Sequence, residues 1–138
     1  MQNLFVTPND EFEVNFCVAT NSKNQLFCDI NEEQIKMLLG DPTEYEIKSY
    51  KAIFKRPSFK DTIELYDSVF STNDGANIAF NPLSARYKKI VVLIKSWNLT
   101  DSEGKEIEPN ETNIQLLSPN IANVIAIQVD METGGILS

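Results

Sequence analysis

Residues 11–30 read EFEVNFCVATNSKNQLFCDI, and the alternation of apolar and polar side chains predicts an antiparallel β-hairpin. The polar residues 21–24 supply the chemistry of a turn. Matching the apolar faces predicts three cross-strand pairs: Val14 with Ile30, Phe16 with Cys28, and Val18 with Leu26. In that register Cys17 points away from Cys28, so we expect two free thiols.

The next segments predict a short helix, a third strand and a second helix. Asn31 is placed to cap a helix over residues 32–39, which Gly40 ends. Residues 45–54 favour a strand whose apolar side chains change face near Ser49, which indicates a bulge or two short strands. Ser58 and Asp61 form a capping pair at the start of a helix over residues 58–70. A polar loop is expected over residues 71–76.

A long central helix is predicted from Pro82 to about Asn98. Its apolar residues recur at helical spacing: Leu83, Tyr87, Ile90, Val91, Ile94 and Trp97. The basic residues Arg86, Lys89 and Lys95 are expected off that apolar face. A turn follows over residues 101–105, Asn110 caps a short helix, and Ser118-Pro119 begins another helix.

These elements predict a single α+β domain over residues 1–138, with a β-rich part (1–57) and a helical part (58–138). Specifically, an N-terminal antiparallel hairpin and one further strand would pack on a mainly helical C-terminal half. The longest apolar run has five residues, 90–94, which is too short for a membrane span, and the N-terminal residues do not resemble a secretory signal. We therefore expect no membrane partner and a cytoplasmic location.

The formal net charge of −8 is unevenly distributed along the chain. Residues 1–47 sum to −7, residues 48–97 to +5, and residues 98–138 to −6. One interpretation is a solvated surface; the other is a basic middle segment that docks against an acidic end of its own chain or of a neighbour. Nucleic-acid binding is disfavoured because acidic regions flank the basic cluster Lys48, Lys51, Lys55, Arg56 and Lys60.

Residue types argue against catalysis. The chain has no histidine, so the commonest general base and metal ligand is missing. Two cysteines cannot complete a zinc site, and the five glycines do not follow a phosphate-binding spacing. Paired carboxylates such as Glu32 with Glu33 fit helix capping and solubility. We expect no enzymatic activity, no cofactor and no bound metal.

The segment from Tyr87 to about Asp130 resembles bacteriophage tail assembly chaperones. These proteins often carry an apolar helix that ends in tryptophan, an acidic glycine turn, a proline, and one or two short helices. The matching residues here are Trp97, Leu99, Asp101, Gly104, Lys105, Ile107, Pro109, Asn113 and Ile114. The resemblance covers about a third of the chain and the β-rich residues 1–57 have no counterpart in it. It implies a helix–turn–helix packing unit and an assembly factor that escorts the tape measure protein or the tail tube protein.

Three functions remain open at this level. The first is a tail assembly chaperone acting in the host cytoplasm, which binds partners or its own copies. For it we expect a protein-binding surface on the central helix: Arg86, Tyr87, Lys89, Ile90, Val91, Ile94 and Trp97. The second is a structural component of the virion, such as a tail terminator, connector or baseplate subunit. The third is an acidic inhibitor of a host DNA-binding protein.

Overall fold

The computed structural model describes residues 4–69 and 82–134. Four strands and five helices occur within these residues, together with a 3-10 turn at Pro42–Glu44. In chain order the elements are β1 (Glu11–Thr20), β2 (Leu26–Asp29), α1 (Glu32–Leu38), β3 (Glu46–Lys55), α2 (Phe59–Val69), α3 (Pro82–Leu93), β4 (Ile94–Trp97), α4 (Glu111–Gln115) and α5 (Pro119–Glu132). The predicted loop at residues 71–76 lies outside the described residues.

The strands form one antiparallel sheet in the order β2-β1-β3-β4, which confirms the α+β class. β1 pairs with β3 along ten residues, from Glu11 opposite Lys55 to Thr20 opposite Glu46. The predicted hairpin and third strand are present, but β4 was not expected. The part before residue 57 holds β1, β2, β3 and α1, and β4 adds one strand to the part after it.

The hairpin register differs from the predicted one by two residues, because Val18 lies opposite Cys28 rather than Leu26. The turn is longer than expected: the Asn21 Oδ1 accepts the N–H groups of Lys23 and Gln25, and Asn24 takes a left-handed φ of 59°. A two-residue shift keeps every side chain on its face. Cys17 and Cys28 therefore still lie on opposite faces, as predicted, and both thiols are free.

The predicted helix over residues 82–98 is wrong in its last turn. α3 ends at Leu93, and residues 94–97 form β4 along the edge of β3, with Trp97 opposite Ala52. Short apolar runs fit either a helix or a strand, and the unpaired backbone groups of the β3 edge favour the strand. Leu83, expected on the buried face, is exposed, whereas Lys89, expected outside it, is buried.

The main core lies between one face of the sheet and the helices α3, α4 and α5. Its largest members include Phe16, Phe54, Leu93 and Ile125. α1 covers the opposite face near β2, where Ile35 packs with Cys17 and Ala19. The two ends of β3 are thus covered on opposite faces of the sheet, so its apolar side chains can change face without an interruption of the strand. The predicted bulge or pair of short strands near Ser49 is wrong, because β3 pairs continuously with β1.

Predicted helix starts agree with the structure where it describes them. Asn31 accepts the N–H of Gln34 at 2.8 Å, and Asn110 accepts the N–H of Asn113 at 2.9 Å. Ser58 and Asp61 bond each other reciprocally at the start of α2. Such capping bonds satisfy backbone N–H groups that have no partner inside a helix. No helix in the described ranges is long and apolar enough to cross a membrane.

The basic middle segment is neutralised largely within the chain. Within the described residues, six of its bases take part in ion pairs, and four of these pairs reach distant acids: Lys51 with Glu13, Lys95 with Glu11, Arg56 with Glu132, and Lys89 with Asp130. This is the intramolecular form of the docking that the charge distribution suggested.

Candidate protein-binding site

The connection between β4 and α4 folds back on itself as a compact turn. The indole N–H of Trp97 donates to the carbonyl of Ile107, and the N–H of Ile107 donates to the carbonyl of Leu99 at 3.0 Å. The Asp101 Oδ1 accepts the N–H groups of Glu103 and Lys105, and Gly104 has a φ of 83°. These bonds hold residues 98–110 against the end of the sheet.

A cleft of about 640 Å³ lies between this turn, the sheet end and the start of α5. We call it the sheet-end cleft; its apolar lining comprises Val18, Tyr50, Trp97, Leu99, Ile107, Leu116, Leu117 and Ile121. The Tyr50 ring stacks on Phe16 with centroids 5.9 Å apart, which ties the lining to the core. A volume of this size is typical of ligand and anchor pockets.

Leu116 is the most accessible apolar side chain of the cleft, at 78% exposure. It lies at the C-terminal cap of α4, and the neighbouring Ile114 side chain is buried instead. The polar rim comprises Asn21, Asn24, Glu46, Lys48, Asp101, Ser102 and Asn113. Lys48 and Glu46 lie 3.6 Å apart as an exposed ion pair.

A second, smaller concavity of about 330 Å³ lies between α3, α4 and α5; we call it the helical groove. Arg86 donates to the Asn123 Oδ1 at 2.7 Å across it, and Gln115 donates to the Tyr87 hydroxyl at 2.9 Å. Ile90 lines its floor and is buried. Leu117 lines both the helical groove and the sheet-end cleft.

The seven residues predicted for partner binding do not form one surface. Arg86, Tyr87 and Ile90 line the helical groove, whereas Trp97 lines the sheet-end cleft. Val91 and Ile94 pack half-buried against the main core. Lys89 is buried and bonded to Asp130 of α5, so it is a structural residue. All seven were expected on one long helix, but that helix ends at Leu93, and β4 places Ile94 and Trp97 on the sheet.

Sequence reasoning did not identify Tyr50 and Leu116 as site residues. The pair Leu116-Leu117, which directly follows the five-residue helix α4, was the available indication, since so short a helix buries few of the apolar side chains near it. Tyr50 could not have been found, because its place in the cleft depends on the pairing of β3 with β1 and on the position of Trp97 in β4.

Asp101 at the cleft and Cys28 on β2 are both held by the fold. Asp101 accepts two backbone N–H groups, as described above. Burial, with smaller effects of Asp29 and Cys17, raises the pKa of Cys28 to about 12, so its thiol stays protonated at neutral pH. Among residues 4–69 and 82–134, no group of three or more Cys, Asp or Glu side chains is placed to hold a metal ion.

Comparison with family models, curated proteins and solved structures found no match to this chain.

Proposed function

We propose that this chain is a non-enzymatic protein-binding factor of bacteriophage tail assembly. It escorts the tape measure protein or the tail tube protein in the host cytoplasm. The observation that carries the proposal is the sheet-end cleft, because the residues of the tail-chaperone resemblance build it. Five of those residues line the cleft: Trp97, Leu99, Asp101, Ile107 and Asn113.

The same residues have a different secondary structure from the one that the resemblance implies. Trp97 ends a strand rather than a helix, so the unit is strand–turn–helix instead of helix–turn–helix. The helix before it, α3, ends four residues earlier. What supports the proposal is therefore the local unit: a tryptophan locked by the turn, an acidic glycine turn, and a short capped helix.

The physical argument for protein binding is the exposed apolar side chain of Leu116 beside the cleft. Burying a leucine side chain contributes about 1.5–3 kcal/mol, and the Leu116 side chain is left mostly in water. Interfaces commonly centre on an aromatic or aliphatic anchor in a pocket with a polar rim. Trp97 and Tyr50 form such a pocket, and amides and carboxylates form its rim.

Co-expression with tail proteins tests the proposal. The chain is produced with the tail tube and tape measure proteins of its source genome, and complexes are measured by size-exclusion chromatography with light scattering. We expect a complex that Leu116→Asp weakens. The matched control is Met37→Asp on α1, equally exposed at 75% but far from the cleft, which should bind normally. Failure to bind either tail protein would overturn the proposal.

A second function, a structural virion component, is favoured by apolar exposure on α2. Phe59 is 82% exposed, and Ile63 lies one turn further along the same helix and is also exposed. A subunit of a tail terminator, connector or baseplate ring would bury such a surface against its neighbours. Native mass spectrometry separates the two functions: a closed ring of fixed copy number supports a virion component, and a monomer that binds a tail protein supports a chaperone.

A further inference from the structure

We propose that the sheet-end cleft takes a short basic segment of a partner protein, with a large apolar side chain as its anchor and lysine or arginine beside it. The inference rests on the proposed protein-binding function and names the chemistry of the partner. It commits to a basic apolar peptide segment because the walls of the cleft are apolar while the charge beside it is negative.

The apolar contribution to peptide binding comes from the aromatic and leucine side chains that line the cleft. Trp97 and Tyr50 contribute aromatic surface to the lining, and Leu116 is its most exposed apolar side chain. An anchor side chain placed between them would cover apolar surface that the chain leaves accessible to water. The Trp97 indole N–H is already bonded to Ile107, so the ring needs no polar partner from a ligand.

The charge contribution comes from residues 98–110, which we call the acidic loop. It carries Asp101, Glu103, Glu106 and Glu108 against the single base Lys105, so its formal charge is −3. Within the described parts of the chain none of these five residues takes part in an ion pair. Unpaired carboxylates beside an apolar opening favour a cationic partner and disfavour an anionic one.

The acidic loop differs in this respect from the surface around β1, β3 and β4. The bases Lys51, Lys55, Arg56 and Lys95 are all paired with acids of the same chain. The β1 carboxylates Glu11 and Glu13 are thereby compensated, by Lys95 and Lys51 respectively. The acidic loop has no such compensation, and it borders the larger of the two clefts that adjoin α4.

Three fluorescein-labelled peptides test the inference by fluorescence anisotropy with the full chain. One alternates lysine with leucine, one lysine with serine, and one glutamate with leucine. We expect the lysine–leucine peptide to bind and the other two to bind at least about tenfold more weakly, since each lacks one of the two contributions. Equal binding of the glutamate–leucine peptide, or of the lysine–serine peptide, would overturn the proposal.

Two variants locate the peptide on the chain. Leu116→Ser should weaken binding about tenfold or more, by removing an apolar contact from an exposed position. The double variant Glu103→Lys, Glu106→Lys should weaken it about threefold or more and flatten its salt dependence. The matched controls Met37→Ser and Glu33→Lys on α1 should leave the affinity unchanged. Equal losses in the α1 and cleft variants would show non-specific attraction and overturn the proposal.

The outcomes separate this inference from the proposed function. If tail proteins bind but the cleft variants have no effect on that binding or on peptide binding, the function stands and the site is wrong. If the lysine–leucine peptide binds at the cleft but neither tail protein does, the site stands and the assignment to tail assembly is wrong.

Discussion

Replacing Asp130 with asparagine should destabilise the fold more than replacing its partner Lys89 with methionine. The two side chains join α5 to α3, and their surroundings differ. The Lys89 side chain is 3% exposed, whereas the Asp130 side chain is 25% exposed. Removing the carboxylate therefore leaves a buried cation without a counter-charge, while removing the cation leaves a carboxylate that water can reach.

The expected magnitudes follow from this asymmetry. Breaking a buried ion pair from one side costs about 3–5 kcal/mol, and we expect Asp130→Asn at the lower end because water partly reaches the pair. Lys89→Met should cost about 1 kcal/mol, since the methionine fills the space of the lysine stem and the remaining carboxylate stays partly hydrated. The double variant should cost about 2 kcal/mol, which leaves a coupling of about 2 kcal/mol between the two positions.

Urea unfolding of the four proteins, followed by Trp97 fluorescence and by far-UV circular dichroism, measures these free energies. Coincident transitions from the two probes would justify a two-state treatment. The control is Lys36→Met in the half-exposed pair with Glu32 on α1, which should change stability by less than about 0.5 kcal/mol. A smaller loss in Asp130→Asn than in Lys89→Met, or additive losses in the double variant, would refute the reasoning.

Three further predictions concern the turn, a cap and a thiol. Gly104→Ala should lower the unfolding free energy by about 1 kcal/mol, because φ at Gly104 is 83°, a left-handed conformation that strains a residue with a Cβ. Gly40→Ala is the control in the same urea assay, since Gly40 has no such φ and no atom lies within 4 Å of the added Cβ. Burial alone would raise the pKa of Asp61, but hydrogen bonds from Ser58 and Lys55 lower it overall. The ionised Asp61 therefore stabilises the fold above about pH 4, and this stabilisation is lost as the pH falls through the lowered pKa. Asp61→Asn should accordingly reduce the loss of unfolding free energy that the protein shows on acidification. An unchanged loss in the variant would contradict this. Because burial raises the pKa of Cys28 to about 12, this thiol should react with Ellman's reagent far more slowly in the folded protein than in the unfolded chain. Rapid labelling of Cys28 in the folded protein would disprove this.

Local chemistry explains which elements the sequence predicted. The alternation over residues 11–20 identified both faces of β1, since a period of two is a property of the strand itself. The Asn31 and Asn110 caps and the Ser58–Asp61 pair marked helix starts, because a cap bonds backbone groups within four residues. The opposite placement of Cys17 and Cys28 also followed, as a register shift of two residues does not change a face.

The sequence by itself thus determined the α+β class, the faces of the hairpin and the caps, because each depends on residues that are neighbours in the chain. Only the tertiary structure decided that α3 stops at Leu93, that Lys89 is buried against Asp130, and that a cleft opens beside Trp97. The apolar run at residues 90–94 suits a helix and a strand alike. The C-terminal end of that run becomes a strand because the free edge of β3, some forty residues earlier in the chain, supplies its hydrogen bonds. The residues of the run itself carry no information about that edge.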